Sequence, residues 1–131
     1  MKSDKPESQS WSQLMQTAQS VVTKTIRALP APLREQAADI PVSLERRPGK
    51  DLVNDGVEPD TMGLFVGGTY EEGMTGDSNL PAQIILFLEN IWEDAAGDPE
   101  EFRFQVRQTL LHEWGHYLGL EEQDLTVRDL E

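Results

Sequence analysis

The sequence predicts one α+β domain in which a small mixed sheet of three or four strands packs against a long helix, with an amphipathic helix ahead of both. Three observations lead to this fold class. Apolar residues recur every three to four positions over 11–29, short apolar segments bounded by glycine or proline lie within 40–88, and a second helical pattern covers 98–118. A chain of 131 residues is long enough for one such core.

The first third of the chain is predicted to be mainly helical. Residues 1–8 are polar, and we expect them to form a tail ahead of a single domain over 9–131. The first helix, 9–29, has one apolar face, which we expect to cover the core. Prolines at the start of the remaining part, 30–131, end that helix and favour a short second helix near 33–38.

Three segments have the composition of strands. Residues 40–45 alternate apolar and polar side chains, and 62–66 form a short apolar run. The most apolar segment is 82–88, which we expect to form the central strand. The Gly-rich and Pro-containing segments 48–60 and 70–81 are expected to be loops.

The C-terminal third is predicted to be helical again. A short helix is expected over 89–96, ending at Gly97. The main helix covers 98–118, and the acidic residues of its first turn suit the positive end of a helix dipole. Gly119 is placed to end it, and a last short helix is expected near 123–130.

Composition and charge limit the function classes. The net charge is −13, and residues 51–102 hold thirteen acidic residues and no basic one. Such a surface repels a phosphate backbone, so we expect no nucleic-acid partner. The acidic residues either attract basic substrates or only form a solvated surface. No apolar run approaches the roughly 20 residues of a membrane span, so no membrane partner is expected. Cysteine is absent, which excludes disulfides and thiolate chemistry. The N-terminal residues lack the apolar stretch of a secretory signal, so the expected location is the cytoplasm.

A metal-binding motif lies in the main helix. The only two histidines, His112 and His116, are four residues apart with Glu113 in the second position, which gives the pattern H-E-x-x-H. Positions i and i+4 differ by about 40° around a helix, so both imidazoles can reach one zinc ion. Glu113 is rotated by about 100° and lies beside the ligands, where it can deprotonate a water activated by the zinc. We therefore predict His112 and His116 as zinc ligands and Glu113 as the general base.

A third zinc ligand is expected shortly after the motif. Catalytic zinc sites use three protein ligands, and the sequence has no further histidine and no cysteine, so a carboxylate has to serve. Gly119 allows the chain to turn back, and the extended pattern H-E-x-x-H-x-x-G-x-x-E favours Glu122. Glu121 and Asp124 remain alternatives.

Other residues near the motif are weaker candidates. Gly115 is unfavourable inside a helix and suggests a close approach of another backbone or a substrate. Tyr117 falls on the apolar side of the helix and is expected in the core, whereas Tyr70 lies in a Gly-flanked loop and is a possible oxyanion donor. Gln105 and Thr109 lie on the same side of the helix as the histidines and are possible supporting groups.

The sequence resembles the bacterial minimal zincin-like metallopeptidase family. The resemblance is most specific in the segment TLLHEWGHYLGLEEQDL, and weaker similarities are found at Leu29-Pro30 with Leu33-Arg34, at 39–45, and at Leu64-Phe65 before Gly67. It implies a small α+β domain, zinc bound by the two histidines, an acidic third ligand and proteolysis as the activity.

Two functions follow from these observations. The first is a zinc-dependent peptidase that acts as a monomer on extended peptides or proteins, with basic ones as candidates, and uses Glu113 as the base. The second is a non-catalytic interaction module in which zinc serves only stability. Glu113 distinguishes them, because a structural zinc needs no base and has four protein ligands.

Overall fold

A computed structural model of the protein describes residues 10–67 and 82–118. Within them it contains five helices and three strands, and none of the helices is long and apolar enough to cross a membrane. The α+β class is confirmed. The elements are α1 (Trp11–Arg27), α2 (Ala31–Ala37), β1 (Val42–Glu45), α3 (Lys50–Asn54), β2 (Gly63–Val66), β3 (Gln83–Phe87), α4 (Leu88–Asp94) and α5 (Pro99–Leu118).

Helix α1 begins at a capping box. The side-chain oxygen of Ser10 accepts a hydrogen bond from the Gln13 backbone N–H at 3.1 Å, and the Gln13 side-chain oxygen accepts one from the Ser10 N–H at 3.0 Å. Two backbone donors at the helix start are thereby satisfied. The helix packs on α5 and covers the core, as its apolar periodicity predicted. Its buried residues are Leu14, Ala18, Val22 and Thr25.

The sheet has β3 in its centre, as predicted for segment 82–88. The strand order is β1-β3-β2, with β1 parallel and β2 antiparallel to β3. Ile84 and Leu86 of β3 have no exposed surface, and they belong to the core that α5 covers. Among the described residues β2 has a strand neighbour on one side only, so its other edge is available to groups from α5 or to a ligand.

A tight corner between α4 and α5 directs the long helix across the sheet. Ala96 and Gly97 have φ values of 55° and 74°, in the left-handed region that stops α4. Asp98 then caps α5, because its side-chain oxygen accepts a hydrogen bond from the Glu100 N–H at 3.1 Å. Acidic residues in the first turn of α5 further stabilise its positive end.

Hydrogen bonds around the buried Asn90 hold the segment that leads into β2. Asn90 of α4 is only 4% exposed and donates hydrogen bonds to the carbonyl oxygens of Pro59 and Thr61, both at 2.8 Å. The side-chain oxygen of Asn90 accepts a hydrogen bond from the Arg47 guanidinium at 2.7 Å. These bonds join the end of β1 and helix α4 to the segment that leads into β2, so they determine where β2 begins.

One predicted loop contains a helix. Segment 48–60 was expected to be irregular, but α3 occupies Lys50–Asn54, so that prediction was wrong for these five residues. Gly49 caps the helix in an extended conformation, and Asp51 lies in its first turn. A helix of five residues is too short to produce an apolar period that pattern analysis can detect. The predicted tail, the loop 70–81, the cap at Gly119 and the helix 123–130 lie outside the described residues.

Candidate active site

His112 and His116 lie side by side on the exposed face of α5. Their ring centres are 4.7 Å apart, and the ring planes make an angle of 57°. Both residues are exposed, and the His116 side chain retains 55% of its accessible surface. Val106 and Leu110 occupy the opposite face of the helix and are buried. The apolar face of α5 is thus held in the core, and both imidazoles face solvent as predicted.

This pair of donors suits a zinc ion. Each ring centre would lie roughly 3.2 Å from a zinc bound through a ring nitrogen at about 2.1 Å, so two rings that share an ion have centres at most about 6.4 Å apart. The observed separation of 4.7 Å satisfies that limit. Within residues 10–67 and 82–118, no group of three His, Cys, Asp or Glu residues can hold a metal. Glu122, Glu121 and Asp124 lie outside these ranges, so the third ligand stays a prediction.

Glu113 is buried beside the two imidazoles. Only 7% of the residue is exposed, and one carboxylate oxygen lies 3.9 Å from Nδ1 of His116. The backbone N–H of Phe65 in β2 donates a hydrogen bond to this carboxylate. Burial raises the pKa of Glu113, while positive charge on His116 and His112 and the hydrogen bond from Phe65 act in the opposite direction. A carboxylate with a raised pKa is a better proton acceptor than an ordinary surface glutamate.

The pairing of β2 with β3 explains why Phe65 is available to Glu113. The Phe87 N–H donates to the Met62 carbonyl at 2.9 Å, and these two residues are directly opposite each other in the strand register. Hydrogen-bonded pairs alternate along an antiparallel ladder, so Leu64 also bonds to β3, whereas Gly63 and Phe65 direct their backbone groups away from it. The Phe65 N–H therefore points outward from the sheet and reaches Glu113.

Gly63 allows β2 to lie close to α5. A Cβ atom at this position would overlap Cγ2 of Thr109 and would come within 3.2 Å of Cγ of Glu113. Thr109, which the sequence places on the side of the helix that carries the histidines, is itself buried, and it lies against Gly63. The position of Phe65 and the role of Gly63 were not foreseen from the sequence. A glycine within a strand was the available signal, because it often marks a close approach of another group.

The remaining candidates near the motif have different surroundings in the fold. Tyr117 packs against Phe65 with ring centres 5.6 Å apart and belongs to the edge of the core, as predicted. Gln105 donates a hydrogen bond to Glu101 at 3.1 Å. Gly115 is buried. Tyr70 lies outside the described residues.

A cavity of about 390 Å³ lies elsewhere in the molecule and contains no residue of the motif. Its charged lining is of both signs, and Arg47 within it is already bonded to Asn90 and Glu93. The candidate site therefore rests on α5 and β2. The cavity is lined by Glu45, Arg47, Gly49, Lys50, Asp51, Leu52, Ile85 and Phe87.

Comparison with known proteins agrees with this geometry. The model of a family described as zincin-like metallopeptidase matches residues 37–131, which include the sheet and the motif helix and make up more than half of the chain. The match starts at the last residue of α2, so α1 precedes the matched region. A comparison with curated proteins gives no match. The chain belongs to the zincin-like metallopeptidase family.

Proposed function

We propose that the protein is a zinc-dependent peptidase. His112 and His116 hold the ion together with a third ligand, for which Glu122 is the first candidate, and Glu113 is the general base. Membership of a metallopeptidase family and the spacing of the two exposed imidazoles support this function. The proposed substrate is a peptide or protein.

The environment of Glu113 is the observation that carries the proposal. A glutamate that merely followed a histidine on a solvated helix would be exposed, whereas this one is 7% exposed and lies next to both imidazoles. Its carboxylate is held by a hydrogen bond from the neighbouring strand and has a raised pKa because of burial. Burial of an ionisable group is unfavourable for stability, so its position beside two potential ligands supports a role in proton transfer.

The chain supplies the proton transfers of peptide hydrolysis. Zinc, when bound, contributes Lewis acidity that makes a water nucleophilic near neutral pH. Glu113 accepts a proton from the attacking water while the water oxygen forms a bond to the carbonyl carbon of the peptide. The protonated Glu113 then delivers this proton to the leaving nitrogen as the C–N bond breaks. The hydrogen bond from Phe65 orients the carboxylate during both transfers.

An extended peptide can bind along β2. The outward carbonyl groups of Gly63 and Phe65 are not used by β3, and they can pair with the backbone N–H groups of a substrate. The thirteen acidic residues in the sequence of segment 51–102 favour peptides with basic side chains. We propose that the protein acts on such peptides as a monomer.

The test compares the wild-type protein with Glu113→Gln on a mixed peptide library, with zinc content measured in the same samples. The introduced amide oxygen can still accept the hydrogen bond from Phe65, but the amide cannot take up a proton. We expect both proteins to hold zinc and the variant to lose about 10²- to 10⁴-fold in cleavage rate. Glu100→Gln is the matched control, because this glutamate lies exposed in the first turn of the same helix.

Two results of this experiment contradict the proposed mechanism, and a third shows that the measured cleavage comes from another protein. Equal cleavage by the wild type and Glu113→Gln would remove Glu113 from it. Bound zinc without cleavage by either protein would favour the non-catalytic interaction module. Zinc-independent cleavage that survives a chelator would identify a contaminating protease.

A further inference from the structure

The contact between β2 and α5 is closer at Gly63 than any side chain permits. An added Cβ would overlap Cγ2 of Thr109, and the next atoms it would meet are Cγ and Oε2 of Glu113, at 3.2 and 3.6 Å. The space beside Gly63 is therefore filled by the side chain of Glu113 itself and by the threonine one helical turn before it. A substituent at this position would disturb the proposed base directly.

The strand would have to move if a side chain were added. Thr109 is β-branched and lies within a helix, so few rotamers are available to move its methyl group away. Helix α5 has 20 residues and packs against α1, α4 and the sheet, whereas β2 has four residues and pairs with β3 alone among the described elements. Because β2 is held by fewer neighbouring elements than α5, β2 is the one that shifts. Displacement of β2 away from α5 separates the Phe65 N–H from the carboxylate that it holds.

We propose that Gly63 is a positioning residue of the active site, because its missing side chain lets β2 lie close enough to α5 for the Phe65 N–H to hold Glu113 beside the two imidazoles. This inference rests on the proposed function for its catalytic consequence. Its structural part is independent of activity and can be measured separately.

The test uses Gly63→Ala, Thr109→Ser and the double variant Gly63→Ala/Thr109→Ser. Serine lacks the methyl group that the new Cβ would overlap, so the double variant should restore the close contact with only a small adjustment near Glu113. Gly49→Ala is the matched control. A Cβ at Gly49 meets nothing within 4 Å, and its φ of −74° suits any residue.

Amide hydrogen exchange at β2 gives a readout that does not depend on activity. In the wild type we expect the Phe65 amide to be protected by its bond to Glu113. Gly63→Ala should expose this amide, while Leu64 and Val66, whose amides bond to β3, remain protected. The double variant should recover protection at Phe65. Glu113→Ala should expose the same amide without any change at Gly63.

Kinetics provides the second readout. A misplaced base lowers kcat by an amount on the order of 10²-fold and leaves KM and zinc affinity nearly unchanged. Gly63→Ala should therefore show a lower kcat with an unchanged zinc content. The double variant should recover most of the rate. Gly49→Ala should resemble the wild type, and Thr109→Ser alone gives the rate with which the double variant is compared.

Each outcome either supports or overturns the role of Gly63. Unchanged protection of Phe65 in Gly63→Ala, or loss of protection at Leu64 and Val66 together with Phe65, overturns the proposal, because the glycine would then have no effect on this contact or only a general effect on the strand. Should Gly63→Ala fail to fold, the double variant decides: a folded protein with a protected Phe65 amide supports the proposal, and a second failure overturns it. If the zinc-loaded wild type cleaves no peptide, the proposed function fails, and the exchange data still decide whether Gly63 positions Glu113.

Discussion

The carboxylate of Glu113 accepts a hydrogen bond from the backbone N–H of Phe65. This hydrogen bond is one of the contacts that join the motif helix to β2. It exists because Phe65 directs its N–H away from β3 and because Gly63 leaves room for the helix. The position of the proposed base is thus determined by two residues that lie far earlier in the sequence.

Glu113→Gln should stabilise the metal-free protein at neutral pH. Burial raises the pKa of Glu113 in the folded state above its ordinary value of 4.5. The folded protein therefore binds this proton more tightly than the unfolded chain. The contribution of Glu113 to the free energy of unfolding is thus largest at low pH and falls as pH rises from 4.5 through the raised pKa. Glutamine resembles the protonated carboxyl group, so the variant avoids the loss of stability that ionisation of Glu113 causes at higher pH.

Thermal unfolding between pH 4 and 8 in the presence of a chelator measures this effect. The difference in melting temperature between Glu113→Gln and the wild type should be positive at neutral pH and should shrink towards pH 4. Glu100→Gln, at an exposed position, should not be more stable than the wild type at neutral pH. A variant less stable than the wild type at pH 7 would contradict the unfavourable burial of the charge.

The third zinc ligand can be identified by three matched substitutions. Removal of a direct ligand should weaken zinc binding more than the roughly 10- to 100-fold loss that follows removal of an outer group. We expect this for Glu122→Gln, whereas Glu121→Gln and Asp124→Asn should bind zinc nearly as the wild type does. Zinc titration against a competing chelator provides the affinities. A large loss in one of the other two variants would transfer the role to that residue.

Helix α1 should be essential for stability although it lies before the region that the family model matches. Leu14 is 3% exposed, so Leu14→Ala should lower the free energy of unfolding by about 2–5 kcal/mol. The neighbouring Met15 is 37% exposed, and Met15→Ala should change it by less than about 0.5 kcal/mol. Denaturant unfolding measures both values. Equal effects of the two substitutions would show that α1 does not belong to the core.

The parts of the fold that were predicted correctly are those with a long or strong apolar pattern. Helices α1 and α5 each span more than four turns, and the buried residues of β3 form the most apolar run in the chain. Helix α3 was not predicted, because five residues in a segment rich in Gly, Pro and Asp are too few to show a helical repeat of apolar residues. Local patterns determine local structure, and they were sufficient for these elements.

The sequence predicted the residues that α5 contributes to the site, but not their contacts with β2. Exposure of His112 and His116 was predicted because Val106, Leu110 and Trp114 form an apolar face on the other side of the helix. Burial of Thr109 was not predicted, because it depends on how closely β2 approaches the helix. That approach is a tertiary contact between Gly63 and one turn of α5. The only signal for it in the sequence was a glycine within a strand.

Zinc stoichiometry of the purified protein, reconstituted with zinc and freed of excess metal, tests the central claim most directly. The wild type is expected to hold one zinc ion per chain, and His112→Gln and His116→Gln are each expected to lose it. Both side chains are on the surface, so the metal-free variants should keep the stability of the metal-free wild type to within about 0.5 kcal/mol. A wild type that retains no zinc, or two variants that both retain it, would contradict the account.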